Sequence, residues 1–121
     1  MYLVGGAHPN RDRAHLVLQT AVAARERLVT DAETFQEILH RYTAINRREA
    51  IEPAWNALRH VVDEVYPIEL EDVERARRLT VTSNLRARDA LHVAVMQRHD
   101  VDEIMTFDTA FDAVPGIRRR A

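Results

Sequence analysis

Between Asp89 and Gln97 the residues Ala90, Leu91, Val93, Ala94, Val95 and Met96 set apolar side chains around nearly the whole circumference of a helix. A helix that is apolar on all sides has to be covered on all sides. The rest of the chain must therefore supply layers around it, which excludes a simple two-helix hairpin or an exposed amphipathic rod. Within 121 residues there is room for one core and not for two, so residues 1–121 are read as a single domain.

The covering elements alternate in type. Over residues 13–27, Ala14, Val17, Leu18 and Ala21 follow helical spacing, with His8-Pro9-Asn10 as the turn before them. Leu28-Val29 is a short strand candidate. Thr30 and Glu33 have the spacing of a capping box, and the helix they would open carries Phe35, Ile38, Leu39, Tyr42 and Ile45 as one apolar stripe, with Glu37 and His40 opposite. Ile51, Trp55, Leu58 and Val62 define another helix, with Pro53 tolerable in its first turn. Residues 65–70 read as a strand that Pro67 confines to a sheet edge. In residues 71–80 acids precede arginines, as the helix dipole favours, and Val73, Ala76 and Leu79 form the apolar face. Thr82-Ser83-Asn84 ends that helix. Residues 104–107 form a strand, residues 108–111 a turn or brief helix, and Pro115-Gly116 precedes a last strand near Ile117. Short strands alternating with helices predict an α/β layer fold.

Composition narrows the function classes. No apolar run approaches the roughly 18 residues of a membrane span, and no cysteine is present, which suits a reducing, cytoplasmic setting. All 17 basic residues are arginine, a bias that GC-rich codon usage explains without invoking function. The formal charge of −2 opposes a global nucleic-acid-binding field, leaving Arg86, Arg88 and Arg118 to Arg120 as candidate local patches. Phosphate-binding glycine loops and a serine nucleophile elbow are absent: three glycines and one serine could not build them.

Three carboxylates remain. Asp89 lies in the first turn of the buried helix, where it is either a cap on the first amides or a functional acid. Asp108 follows a strand, the place where α/β enzymes keep catalytic groups, and it also suits an N-cap. Glu37 is solvated by periodicity alone, and Asp112 is a weaker candidate in the Asp108 loop. The strands of an α/β sheet end at one crevice, so these acids could converge, and like charges about 4 Å apart at an effective dielectric near 20 repel by roughly 4 kcal/mol unless a cation joins them. Glu37-x-x-His40 and Asp89-x-x-His92 also have the spacing of a di-iron helical site, although the short strands argue against a helix bundle and packing roles suit both histidines.

Val29-Thr30-Asp31 running into Gln36-Glu37-Ile38-Leu39, then Arg88-Asp89-Ala90-Leu91-His92, then Met105-Thr106-Phe107-Asp108 with Phe111, resemble in order and context the PIN-domain ribonucleases, in particular VapC-type toxins. The resemblance spans almost the whole chain. It implies a three-layer α/β/α sandwich with a mostly parallel sheet, and an Mg2+ or Mn2+ site formed by Glu37, Asp89 and Asp108, with Asp112 as an additional member. It also implies hydrolysis of RNA phosphodiesters, a neutralising antitoxin and a homodimer. Thr106 matches the hydroxyl residue of a Thr-x-Asp motif.

The family pattern opens with a strand that ends in an aspartate and is followed by a segment like Met1-Tyr2-Leu3-Val4. On that pattern the first strand and its acid are missing, and Asp12, in or near the next helix, does not replace the acid. The expectations are an unstable, inactive 121-residue chain, a start codon placed too late, and, as the contrasting class, an inactive PIN-like module that only binds antitoxin or RNA.

Overall fold

The computed structural model describes residues 1–5 and 11–121; the His8-Pro9-Asn10 turn lies outside them. Five short strands, β1 (Tyr2–Leu3), β2 (Val29–Asp31), β3 (Glu64–Tyr66), β4 (Glu103–Met105) and β5 (Arg118–Arg120), form one sheet in the order β3-β2-β1-β4-β5. Every described pairing is parallel. Helices α1 (Arg11–Ala23), α2 (Ala32–Ala44), α3 (Ile51–Val61), α4 (Leu70–Thr82) and α5 (Ala87–Arg98) connect the strands, with 3₁₀ turns at Arg48–Ala50 and Thr109–Ala113.

Side-chain alternation along the strands divides the core into two faces. Tyr2, Val29 and Ile104 point to the face covered by Ala76 of α4 and by Ala90 and Val93 to Met96 of α5. Leu3, Leu28 and Met105 point to the other, against Ala14 and Ala21 of α1 and Leu58 and Val61 of α3. Register explains the match: Tyr2 lies beside Ile104, and Leu3 beside Met105. The helix that is apolar all round is the buried one, with Ala90, Val93, Ala94, Val95 and Met96 at 0% exposure.

The expected gap in the sheet is filled. The central position belongs to β1, made by the segment that the family pattern places after a first strand. Its two residues suffice because both are buried and both pair with β4, while Tyr2 also pairs with β2. The Met1 carbonyl extends the ladder by accepting from the Val29 amide at 3.0 Å.

Two local expectations are corrected. Thr30 does not cap a helix: it lies in β2 and its hydroxyl donates to the Leu3 carbonyl at 2.6 Å. The cap of α2 is Asp31, whose carboxylate accepts from the Thr34 amide. The reciprocal capping box belongs instead to α4, between Glu69 and Asp72. The apolar stripe assigned to α2 is also shifted, since Thr34 and Phe35 are buried whereas Leu39 and Ile45 are exposed. Strand β3, followed by Pro67, is an edge strand as expected.

Candidate metal-acid site at the C-terminal edge of the sheet

In a parallel sheet ordered 3-2-1-4-5, the connections after β1 and after β4 lead in opposite directions, to β2 and to β5, and the crevice between the C-terminal ends of β1 and β4 is where such folds bind ligands. Val4 and Gly5 leave β1 there without a carboxylate, so no acid stands at the end of the central strand. Asp12 is exposed in the first turn of α1.

Asp108 follows β4. Its carboxylate accepts from the Ala110 amide at 2.9 Å as the cap of a 3₁₀ turn, and its own amide donates to the Thr106 hydroxyl at 3.1 Å. The buried Thr106 thus fixes the backbone that presents an exposed Asp108. Asp89 is half-buried in the first turn of α5. Burial pushes its carboxyl above the usual range; His92, Arg86 and Arg88 pull the other way, and the charge of Asp108 adds to the push. Asp89 and Asp108 therefore sense each other electrostatically.

Glu37 is not the solvated residue that periodicity predicts. Its side chain is only 15% exposed, and it lies on the wall of a cavity of about 180 Å³ that Leu3, Gly5, Thr34 and Tyr42 also line. A Cβ on Gly5 would sit 3.6 Å from the Glu37 Cγ, so the end of β1 runs close to this acid. Arg88 reaches from α5 to α2, forming a close ion pair with Glu37 and a second with Glu33 at 3.4 Å. Asp112 is held by Arg119 through two contacts at 3.0 and 3.3 Å. Among the described residues, no three His, Asp or Glu side chains are placed to hold a metal ion.

The arginine patch expected at residues 118–120 is internally neutralised. Arg118 pairs with Asp102, Arg119 with Asp112, and Arg120 with Glu26 and Glu103. The two histidines also separate: His40 is exposed on α2, whereas His92 is buried on α5. Among the described residues they do not form the di-iron site that the Glu37-x-x-His40 and Asp89-x-x-His92 spacings allowed.

His92 belongs to an arrangement that sequence reasoning missed. Asp31, with 0% exposure, accepts from the Tyr2 hydroxyl and from His92 Nδ1 at 2.7 Å through one oxygen. Its other oxygen accepts from the Thr34 amide at 3.0 Å. Burial works to raise the Asp31 carboxyl, but the bonds from His92, Tyr2 and Thr34 outweigh it and hold the group below the usual carboxylate range. Both oxygens are occupied, so Asp31 ties β1, β2, α2 and α5 together beneath the crevice. The available signal was an aspartate separated by one residue from the apolar pair Leu28-Val29 and directly before a helix.

The sequence matches the PIN domain family over residues 1–117. The chain belongs to that family. The VapC ribonuclease Mb1869c of Mycobacterium bovis and ribonuclease VapC13 of Mycobacterium tuberculosis are each 57% identical to it over 122 residues, spanning 100% of this chain and 93% of theirs. Ribonuclease VapC23 of Mycobacterium tuberculosis is 40% identical over 109 residues, 89% of this chain and 86% of its own length. Among solved structures, Mycobacterium tuberculosis VapC20, described as a sarcin-ricin loop cleaving toxin, superposes with a TM-score of 0.67 at 18% identity, over 93% of this chain and 92% of that one. A toxin–antitoxin complex from Klebsiella pneumoniae gives 0.63 at 17%, over 97% and 94%. These two likenesses establish the three-layer PIN fold. Among the described residues no helix is long and apolar enough to cross a membrane.

Proposed function

We propose that this PIN-domain chain is a divalent-metal-dependent endoribonuclease, the toxin of a toxin–antitoxin pair, acting in the cytoplasm as a homodimer that a cognate antitoxin neutralises. The observation that carries the reading is the placement of Asp108 directly after β4 and of a half-buried Asp89 in the first turn of α5, where burial foremost, with the charge of Asp108 adding, holds the Asp89 carboxyl above its usual range. Full-length similarity to proteins named VapC ribonuclease supports it.

The donor chemistry fits a hard cation such as Mg2+ or Mn2+, which prefers carboxylate oxygens. Asp89 and Asp108 would hold it, and Glu37 would join them once its charge is released from Arg88; Asp112 is an outer member already engaged by Arg119. When bound, the cation supplies Lewis acidity toward a phosphodiester and toward the attacking water. The chain's own residues set up that chemistry. Thr106 holds the Asp108 backbone, and the cap bond from Ala110 engages one oxygen of the exposed Asp108 carboxylate. The buried Asp31–His92 bond anchors α5 one turn after Asp89 and so restrains where that carboxylate stands.

The test is cleavage of purified total RNA by the purified chain with Mg2+ or Mn2+, with and without chelator, scored by mapping new 5′ ends. Metal-dependent cleavage that Asp89→Asn abolishes is expected. Retention of RNA or antitoxin binding with no cleavage under any divalent cation would establish the inactive binding module instead.

A further inference from the structure

Arg88 is the residue immediately before Asp89, yet its side chain does not follow the neighbouring carboxylate. It crosses from α5 to α2, where its guanidinium meets Glu37 closely and Glu33 at 3.4 Å. Glu33 and Glu37 are four residues apart and thus share one face of α2. Their side chains are 23% and 15% exposed, and the Arg88 side chain is 44% exposed. One cation therefore bridges two acids at the rim, with solvent on its outer side.

Glu37 Oε2 is buried, and the charge that faces it is the Arg88 guanidinium. A buried carboxylate stays ionised only with a cation beside it, and this one is supplied by a half-exposed side chain. Arg88 also lies close enough to Asp89 to favour its charged form. A single guanidinium thus offsets charge on two of the acids assigned to the metal, and it has a second carboxylate, Glu33, to retreat to.

We propose that Arg88 is a positioning residue that occupies the place of the divalent cation at Glu37, and that metal binding displaces it onto Glu33, freeing Glu37 as a ligand. The proposal rests on the metal-dependent reading above. It makes metal loading a competition between an internal cation and an external one, so that removing the internal cation strengthens metal binding although it removes an interhelical contact.

Mn2+ titration of the purified full chain, followed by the electron paramagnetic resonance signal of free Mn2+, tests this. Half-exposed ion pairs are individually weak, so Arg88→Gln should bind Mn2+ about three- to tenfold more tightly than the unsubstituted chain. Arg88→Lys, which keeps the charge but lacks the fork that spans both glutamates, should fall between them. In thermal melts Arg88→Gln should lower the metal-free Tm and enlarge the rise that Mn2+ produces, a pattern that loss of a purely structural ion pair does not give. Unchanged or weaker Mn2+ binding by Arg88→Gln overturns the proposal while leaving the nuclease reading intact. If Arg88→Gln does not fold, Arg88→Lys decides alone, with binding no tighter than the unsubstituted chain counting against it. Absence of Mn2+ binding in all three proteins, together with absent cleavage, removes the nuclease reading itself.

Discussion

Replacing Asp31 should separate the roles of charge and shape at the base of the crevice. Asp31→Ala removes the acceptor of the Thr34 amide, the Tyr2 hydroxyl and His92 Nδ1, and of a longer bond from the Thr34 hydroxyl at 3.4 Å that belongs to the same cap. Loss of the cap costs about 1 kcal/mol, and each of the other two donors about 1–3 kcal/mol when left buried and unpaired. The sum is about 3–7 kcal/mol, set against the roughly 5–15 kcal/mol that holds a domain folded. At about 4 °C per kcal/mol for a chain of this size, Tm should fall by roughly 12–28 °C, or the variant should not fold at all. Asp31→Asn should be milder, about 1–3 kcal/mol, because asparagine caps well and imidazole can exchange tautomers to accept where it donated. The pH dependence has a definite sign. The folded Asp31 carboxyl lies below its unfolded value, so its stabilisation is fully present above the unfolded pKa of about 3.9 and is lost as pH falls through the lower, folded value. Urea melts of the three proteins at neutral pH and across the acid range measure all of this. An Ala variant within about 1 kcal/mol of the parent, or an acid limb as steep in the Ala variant as in the parent, would refute the reasoning.

Arg98→Ala should cost about 2–4 kcal/mol, because Asp72, 1% exposed, would lose guanidinium bonds at 2.7 and 2.9 Å and keep only its capping contacts; denaturant melts with the Asp72→Asn, Arg98→Ala double variant isolate the pair, whose coupling should be near zero if the reasoning fails. Asp89→Asn should abolish metal-dependent RNA cleavage with little change in Tm, whereas Asp112→Asn should lower it only slightly because Arg119 already engages Asp112; equal losses in steady-state assays would contradict this ordering. Trp55, stacked edge-on against Phe35 at 4.7 Å and still 37% exposed, is a candidate anchor for antitoxin or dimer contact. Trp55→Ala should weaken association by more than about 1 kcal/mol in pull-down titrations with the protein encoded beside this gene, and unchanged association would assign the ring to packing alone.

Helix starts and types were legible in the sequence, while several helix ends were not. Helix α1 stops at Ala23 although its expected pattern ran to Arg27. The cause is the terminating device. Arg25, Asn46 and Asp100 adopt positive φ of 56°, 54° and 56° just beyond α1, α2 and α5. Paired amide bonds follow at each, such as Val101 to Met96 at 2.9 Å and Asp100 to Gln97 at 3.3 Å. This is the Schellman geometry, which glycine usually advertises. Here no glycine stands at any of the three positions, so the stop signal was invisible to pattern reading. The central strand was misjudged for a related reason: two residues are too few for period-two alternation to register, and only burial and pairing on both sides reveal Tyr2–Leu3.

The crevice divides along the same line between local and long-range information. Asp89 could be singled out because a carboxylate on an otherwise apolar helix is anomalous by itself, and Asp108 because it follows a strand. Glu37 could not be singled out by periodicity, since helical spacing orders residues around an axis without saying which neighbour covers each sector. The closeness of the β1 end at Gly5 and the reach of Arg88 from α5 decide its burial. Asp31 escaped notice because its partners lie 29 and 61 residues away. The pattern left at the crevice is a consistent one. Several acids are matched by arginines from other elements: Glu37 by Arg88, Asp112 by Arg119 and, at the opposite end of α5, Asp72 by Arg98. Asp89 instead is pushed toward its protonated form, by burial first and with the charge of Asp108 adding. An external cation would offset both, and this is the physical reason to look for metal binding at Asp89 first.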